Sequence, residues 1–172
     1  MRRFSITVIA ISASIALGNV SAFAQAPAPA AAPPPLLDYG PNITLEQAMK
    51  AGQAALAEAK KMNLNEGIAV VDTAGRLVYF IKMDNSRAAA VELGQHKART
   101  AAMYKLPSKA YEERVAAGGV GVTVLTLDGV IASAGGIPIV MGGKIIGAIG
   151  VGGGPNGNVD SQVAQAGIDA LK

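Results

Sequence analysis

The chain has no cysteine and no tryptophan, a single histidine, and only four tyrosines and three phenylalanines among its 172 residues. Without cysteine there can be no disulfide framework, thiolate zinc site, iron–sulfur ligation or cysteine nucleophile. His96 alone excludes every two-histidine metal motif and leaves one imidazole for acid–base or ligand work. Charge of one sign is also scarce. Fifteen Lys/Arg face twelve Asp/Glu, and without Arg2 and Arg3 the formal charge falls from +3 to +1. That balance builds no polyanion-binding surface, so no nucleic-acid partner is expected. What is abundant is small or stiff: 21 glycines and 9 prolines.

The N-terminus reads as an address followed by a tether. Met1-Arg2-Arg3 is basic, 6–20 is apolar and uncharged, and Ala22 and Ala24 give the A-x-A pattern that signal peptidase accepts before Gln25. Residues 1–24 are therefore expected to be a signal peptide and the mature protein periplasmic or secreted. The apolar run is short for a bilayer, and the mature form is expected to have no membrane span. Residues 25–43 begin with a Pro/Ala-rich stretch that favours an extended spacer. The folded domain is expected over 44–172, large enough for one layered core.

Within that domain helix and strand patterns alternate. Thr44-Leu45-Glu46-Gln47 forms a capping box, and Leu45, Ala48, Met49, Gly52, Ala55, Leu56 and Ala59 make a helical stripe over 45–62. A β-branched run at 67–71, turn residues Asp72 to Gly75, and a second run at 76–82 predict a hairpin. An alanine-rich helix is expected at 88–104, ended by Pro107, and a shorter one at 108–115 opened by a Ser108 cap. Alternation at 120–127, a turn at Asp128-Gly129 and a return over 130–134 read as strand. Two more strands, 137–140 and 144–151, flank Met141-Gly142-Gly143. The second is apolar on both faces and so is expected to be central. A final helix is expected at 159–171. The order α-β-β-α-α-β-β-β-α calls for an α+β fold with helices on a mainly antiparallel sheet.

The glycine run at 147–154 superficially suggests a phosphate loop. A Walker loop ends in Gly-Lys-Ser/Thr, whereas this run ends in Pro155-Asn156, and the following helix starts too late for a dinucleotide fingerprint. Neither nucleotide nor zinc is expected. Amides around 152–158 face the start of the last helix and suit a carboxylate or propionate, with Asp160 as the internal candidate.

His96 is the residue with evident chemistry. On the 88–104 helix, His96, Thr100, Met103 and Tyr104 project to overlapping sides, and His, Met and Tyr all ligate iron. Lys97 and Arg99 flank the histidine as candidate partners for haem propionates. The alternatives are a solvent-facing or packing histidine, or a Ser–His–acid arrangement using Ser86, Ser108, Ser133 or Ser161. No Gly-x-Ser-x-Gly elbow supports the latter, and no catalytic residue is assigned.

Several segments together carry a family resemblance. They are Leu45-Glu46-Gln47-Ala48, the 68–78 stretch Ile-Ala-Val-Val-Asp-Thr-Ala-Gly-Arg-Leu-Val, Met83-Asp84, and Lys97-Ala98-Arg99-Thr100-Ala101-Ala102. Gly135-Gly136-Ile137-Pro138-Ile139, Gly147-Ala148-Ile149-Gly150-Val151, and the closing Asp160, Ala164, Ala166 and Gly167 complete the set. Over 44–172 the chain resembles the GlcG/HbpS family, which is related to the C-terminal domain of PduO-type proteins. The resemblance implies an α-β-α sandwich with a profilin-like, five-stranded antiparallel sheet, and a homo-oligomer. It also implies haem or corrinoid binding in some members and haem degradation as a proposed activity. One departure is that members often read Gly-Val-Ser-Gly where this chain has Gly150-Val151-Gly152-Gly153.

The expected function is thus an exported protein that binds haem or a related tetrapyrrole. The 96–104 helix and the 135–154 loops are the expected ligand surface: His96 as metal ligand, with Lys97, Arg99, Thr100, Met103, Tyr104, Gly135, Gly136, Pro138, Gly152 and Gly153. An enzyme or accessory factor acting on haem or a small organic acid, and a structural oligomer without cofactor, are the competing readings.

Overall fold

A computed structural model describes residues 35–172. Residues 1–24 and the proline-rich part of the tether lie outside the described residues. Helix α1 (Leu45–Lys61) starts at the expected capping box: Gln47 N–H donates to Thr44 Oγ1 at 3.2 Å, and Gln47 Oε1 accepts the Thr44 N–H at 3.0 Å. Such a cap stabilises a helix by ~1 kcal/mol. The fold nevertheless begins before α1, within the stretch read as tether. Gly40 N–H and Ile43 N–H donate to the carbonyls of Ile145 and Ile146, and Ile145 N–H donates to Asp38.

Four strands form one antiparallel sheet among the described residues: β1 (Gly67–Val71), β2 (Leu77–Lys82), β3 (Gly136–Met141) and β4 (Lys144–Gly152), in the order β2-β1-β4-β3. β4 is central and buried along nearly its whole length, as its two apolar faces predict. Its alternate residues sort to opposite faces. Ile149 and Val151 join Ile68 and Val70 beneath α1 and α4 (Gly157–Asp169), and Ala148 joins Ala69 and Val71 beneath α2 (Ala90–Tyr104). Fully burying each Ile or Val contributes ~1.5–3 kcal/mol. Leu45 and Met49 remain exposed, because α1 turns its alanines, not its largest apolar residues, to the core.

The sheet has four strands where five were expected. Residues 120–127 are not strand: a 3-10 helix runs over Gly119–Thr126, followed by irregular chain to 135. Gly118 and Gly119 enter it at φ of 70° and 56°. The Thr123 and Thr126 hydroxyls then donate to carbonyls three residues back, each at 2.7 Å. These local bonds favour the tight helix over a ladder. Only Val124 of the segment is buried. Helix α3 (Lys109–Ala116) also begins without the expected side-chain cap. Ser108 Oγ instead donates to the Ser133 carbonyl and accepts the Gly136 N–H, tying α3 to the edge strand β3.

α2 lies unusually close to the sheet, and glycine is the reason. A Cβ at Gly94 would stand 2.7 Å from the Gly67 carbonyl oxygen, and one at Gly152 would stand 2.6 Å from Leu93 Cβ. Cβ atoms at Gly136 and Gly150 would strike the α2 backbone at Lys97 and at Gly94 and Ala98. Ala98, Ala101 and Ala102 complete this small-residue seam.

Candidate functional site

The seam fixes which side of α2 faces away from the sheet. That side carries Glu92, His96, Arg99 and Met103, all exposed, at the three- and four-residue spacings that share a helix face. Opposite it stands the β1–β2 turn. Asp72 Oδ1 accepts the N–H groups of Ala74 and Arg76, both at 2.9 Å, and Gly75 takes φ of 73°. A side chain at Gly75 would collide with Arg99 Cγ, at 2.9 Å, and Met103 Cγ, at 3.2 Å. The third wall is the turn at Asp128-Gly129. Tyr104 Oη donates to the Asp128 carbonyl at 2.7 Å, and Thr100 Oγ1 accepts the Ile131 N–H at 2.9 Å and donates to the Gly129 carbonyl at 3.3 Å.

Between these walls lies a cavity of about 310 Å³, floored by Val71 and Leu77 and bordered by Gln95, His96, Arg99 and Gly129. The imidazole stands at its edge with Nε2 3.9 Å from Glu92 Oε2, too far for a hydrogen bond. Arg99 threads between two glycine turns, Gly75 and Gly129. No carboxylate among the described residues pairs with it. Half-exposed Leu77 and exposed Met103 supply an apolar edge. The arrangement offers one accessible imidazole, one unpaired guanidinium and an apolar floor. It suits a ligand that joins an apolar surface to a carboxylate.

The expected site residues therefore separate into two groups. His96 and Arg99 share the cavity, and Met103 borders it beside Gly75. Thr100 and Tyr104 anchor its third wall through hydrogen bonds that occupy their hydroxyls. Lys97 points the other way. It is 2% exposed and its Nζ lies 2.5 Å from Asp160 Oδ2, so it cannot also reach a propionate in the cavity. Gly135, Gly136, Gly152 and Gly153 do not line the cavity. A Cβ at Gly135 would meet Val151, Asp160 and Lys97, and one at Gly153 would meet Ala90 Cβ at 2.9 Å. Pro138 sits in β3 opposite Ala148, on an edge strand where proline is tolerated. The amides at the start of α4 are already used. Gly154 N–H donates to Asp160 Oδ1, and Asn158 and Val159 N–H donate to Asn156 Oδ1.

Sequence reasoning missed Gly75, Leu77 and Gly129. Their turn chemistry was legible, but nothing in it tells that both turns meet one helix face. It also missed Glu66, whose only sequence signal is a charge placed directly before an apolar strand. Glu66 is fully buried, and neither carboxyl oxygen has a hydrogen-bond partner. Burial, reinforced by the neighbouring Asp160 and opposed by Lys97, pushes its carboxyl from 4.5 up to about 8. Among the described residues no three His, Asp or Glu side chains gather as a metal-binding set.

The chain is similar to known proteins. Over 112 residues the chain is 38% identical to protein GlcG of Escherichia coli K12, covering 64% of this chain and 82% of GlcG. A crystal structure of a double mutant of Streptomyces reticuli HbpS superposes with a TM-score of 0.72 at 32% identity, covering 86% of this chain and 99% of HbpS. A PduOC:heme complex shares the fold, with a TM-score of 0.68 at 23% identity over 75% of this chain and 94% of that one. The family described as "Haem degrading protein HbpS-like" matches residues 43–169. With nearly the whole described fold inside that match, the chain belongs to the HbpS-like family.

Proposed function

We propose that this chain is an exported protein that binds haem, or a related tetrapyrrole, in the cavity between α2 and the two glycine turns. The observation that carries this reading is the pairing, on one exposed helix face, of an unbonded imidazole with an unpaired guanidinium above an apolar floor. The family's description and the haem held by a PduOC relative point to the same ligand class. Haem would supply an iron that an imidazole can ligate. In this chain His96 would hold the iron, Arg99 would hold a propionate, and Leu77 and Met103 would cover macrocycle surface at ~25 cal/mol per Å² buried. The residues present fit the group: they leave one ligand atom free and provide one unpaired cation beside an apolar floor.

Export rests on the basic, apolar and A-x-A segments of 1–24. Among the described residues no helix is long and apolar enough to cross a membrane. A homo-oligomer is part of the same proposal, by likeness to the family.

The test is a haemin titration of the chain recovered from the periplasm, whose N-terminus this reading sets at Gln25. A Soret band distinct from that of free haemin is expected, shifted in His96→Ala and weakened in affinity in Arg99→Ala. A spectrum identical to free haemin at micromolar protein contradicts the proposal. The family's description favours a second reading, in which the protein degrades the haem it binds. Adding a reductant to the same complex separates the two: binding alone leaves the haem absorbance in place, and turnover bleaches it.

A further inference from the structure

On the opposite side of α2 from the cavity, three ionisable groups from three elements meet out of water. Glu66 ends the chain segment before β1, Lys97 comes from α2 and Asp160 from the first turn of α4. They are 0%, 2% and 3% exposed. The Glu66 backbone is held on both sides. Its carbonyl accepts the Met83 N–H at 3.1 Å, and its own N–H points to Met83 Sδ at 3.4 Å. Its carboxyl and that of Asp160 converge on Gly154, where an added Cβ would crowd both. The charged groups facing Glu66 are Asp160 from α4 and Lys97 from α2. The 83–86 turn presents the uncharged Met83 sulfur, and the β4–α4 turn presents only the Gly154 backbone.

Two ionised carboxyls cannot hydrogen-bond one another, since both only accept. That is why both Glu66 oxygens are orphaned when no proton is counted. An orphaned buried carboxylate is far costlier than a protonated one that donates. Asp160 is the member served as an anion, because Lys97 Nζ and the Gly154 N–H already point at its two oxygens. One proton on Glu66 then completes the set: acid to carboxylate, carboxylate to ammonium.

We propose that Glu66, Asp160 and Lys97 form a proton-sharing latch, in which Glu66 is a carboxylic acid donating to the Asp160 carboxylate, and that loss of this single proton loosens α2 from the β4–α4 turn. The latch is independent of the haem reading, because none of its three side chains enters the cavity. Its release weakens the seat of the helix that carries His96 and Arg99 and so makes the cavity wall sensitive to alkaline pH.

Infrared spectroscopy of the ligand-free full chain tests it. At neutral pH ordinary Glu and Asp side chains are ionised, so one carboxylic-acid C=O band is expected. The band should move on labelling glutamate carboxyls with carbon-13, be absent from Glu66→Gln, and be lost with a midpoint near pH 8. Amide-exchange protection in α2, corrected for the intrinsic pH dependence of exchange, should fall as pH rises toward that midpoint and level off above it in wild type, and stay level throughout in Glu66→Gln. A wild-type spectrum with no protonated-carboxyl band at neutral pH overturns the proposal, and so does α2 protection that ignores the titration. Should Glu66→Gln fail to fold, the labelled wild-type band and the wild-type exchange profile decide the matter without it.

Discussion

Asp160 and Lys97 are each almost fully buried, and each is the other's counter-charge at 2.5 Å. Removing one partner of such a pair strands the other, at ~3–5 kcal/mol. Asp160→Ala should therefore approach that loss in urea unfolding. Lys97→Met should cost clearly less, because it leaves two carboxyls able to share one proton. Equal losses would show that Glu66 does not relieve the Asp160 carboxylate once Lys97 is gone. Glu66 sets the pH dependence. Its folded pKa lies above its unfolded one, so the native state binds a proton that the unfolded chain releases. Its stabilisation is complete below about pH 4.5, declines by ~1.4 kcal/mol per pH unit between there and about pH 8, and is gone above. A stability profile that rises across that interval would place the proton elsewhere. Sequence reasoning found Asp160 as an internal carboxylate at the last helix, yet assigned Lys97 to a ligand. Spacing puts Lys97 about 100° around the helix from His96 but cannot say which of the two faces the core and which the cavity.

At the scale of elements, α2 does two things at once, and glycine makes both possible. Its inner face settles on Gly67, Gly136, Gly150 and Gly152, and its outer face meets two turns that are closed by Gly75 and Gly129. The sequence pattern announced the capping box, the hairpin, the central strand and every α-helix within a few residues. It misjudged 120–127, because alternation alone cannot tell a strand from a 3-10 turn stitched by Thr123 and Thr126. It also took the 135–154 glycines for a ligand rim, because close approach to a helix and close approach to a ligand leave the same mark in a sequence. The distinction is testable. Gly150→Ala puts a methyl into the α2 backbone and should destabilise the protein by about 1–3 kcal/mol or more, read from the urea midpoint. A variant within about 0.5 kcal/mol of wild type would mean that α2 is not held as tightly as the seam requires.

For the whole molecule, one helix separates a dry face from a wet one. The dry face joins α2 to a sheet shared with α1 and α4 and carries the buried acid–carboxylate–ammonium set. The wet face presents His96 and Arg99 to the cavity. The family match, over residues 43–169, spans both faces. Hydrogen–deuterium exchange of the full chain with and without haemin tests this division most directly. The account predicts new protection confined to the 72–77 turn, the outer face of α2 around 92–99 and the 128–131 turn. Protection elsewhere with these segments unchanged, for instance at the β3–β4 hairpin around Met141, would contradict it.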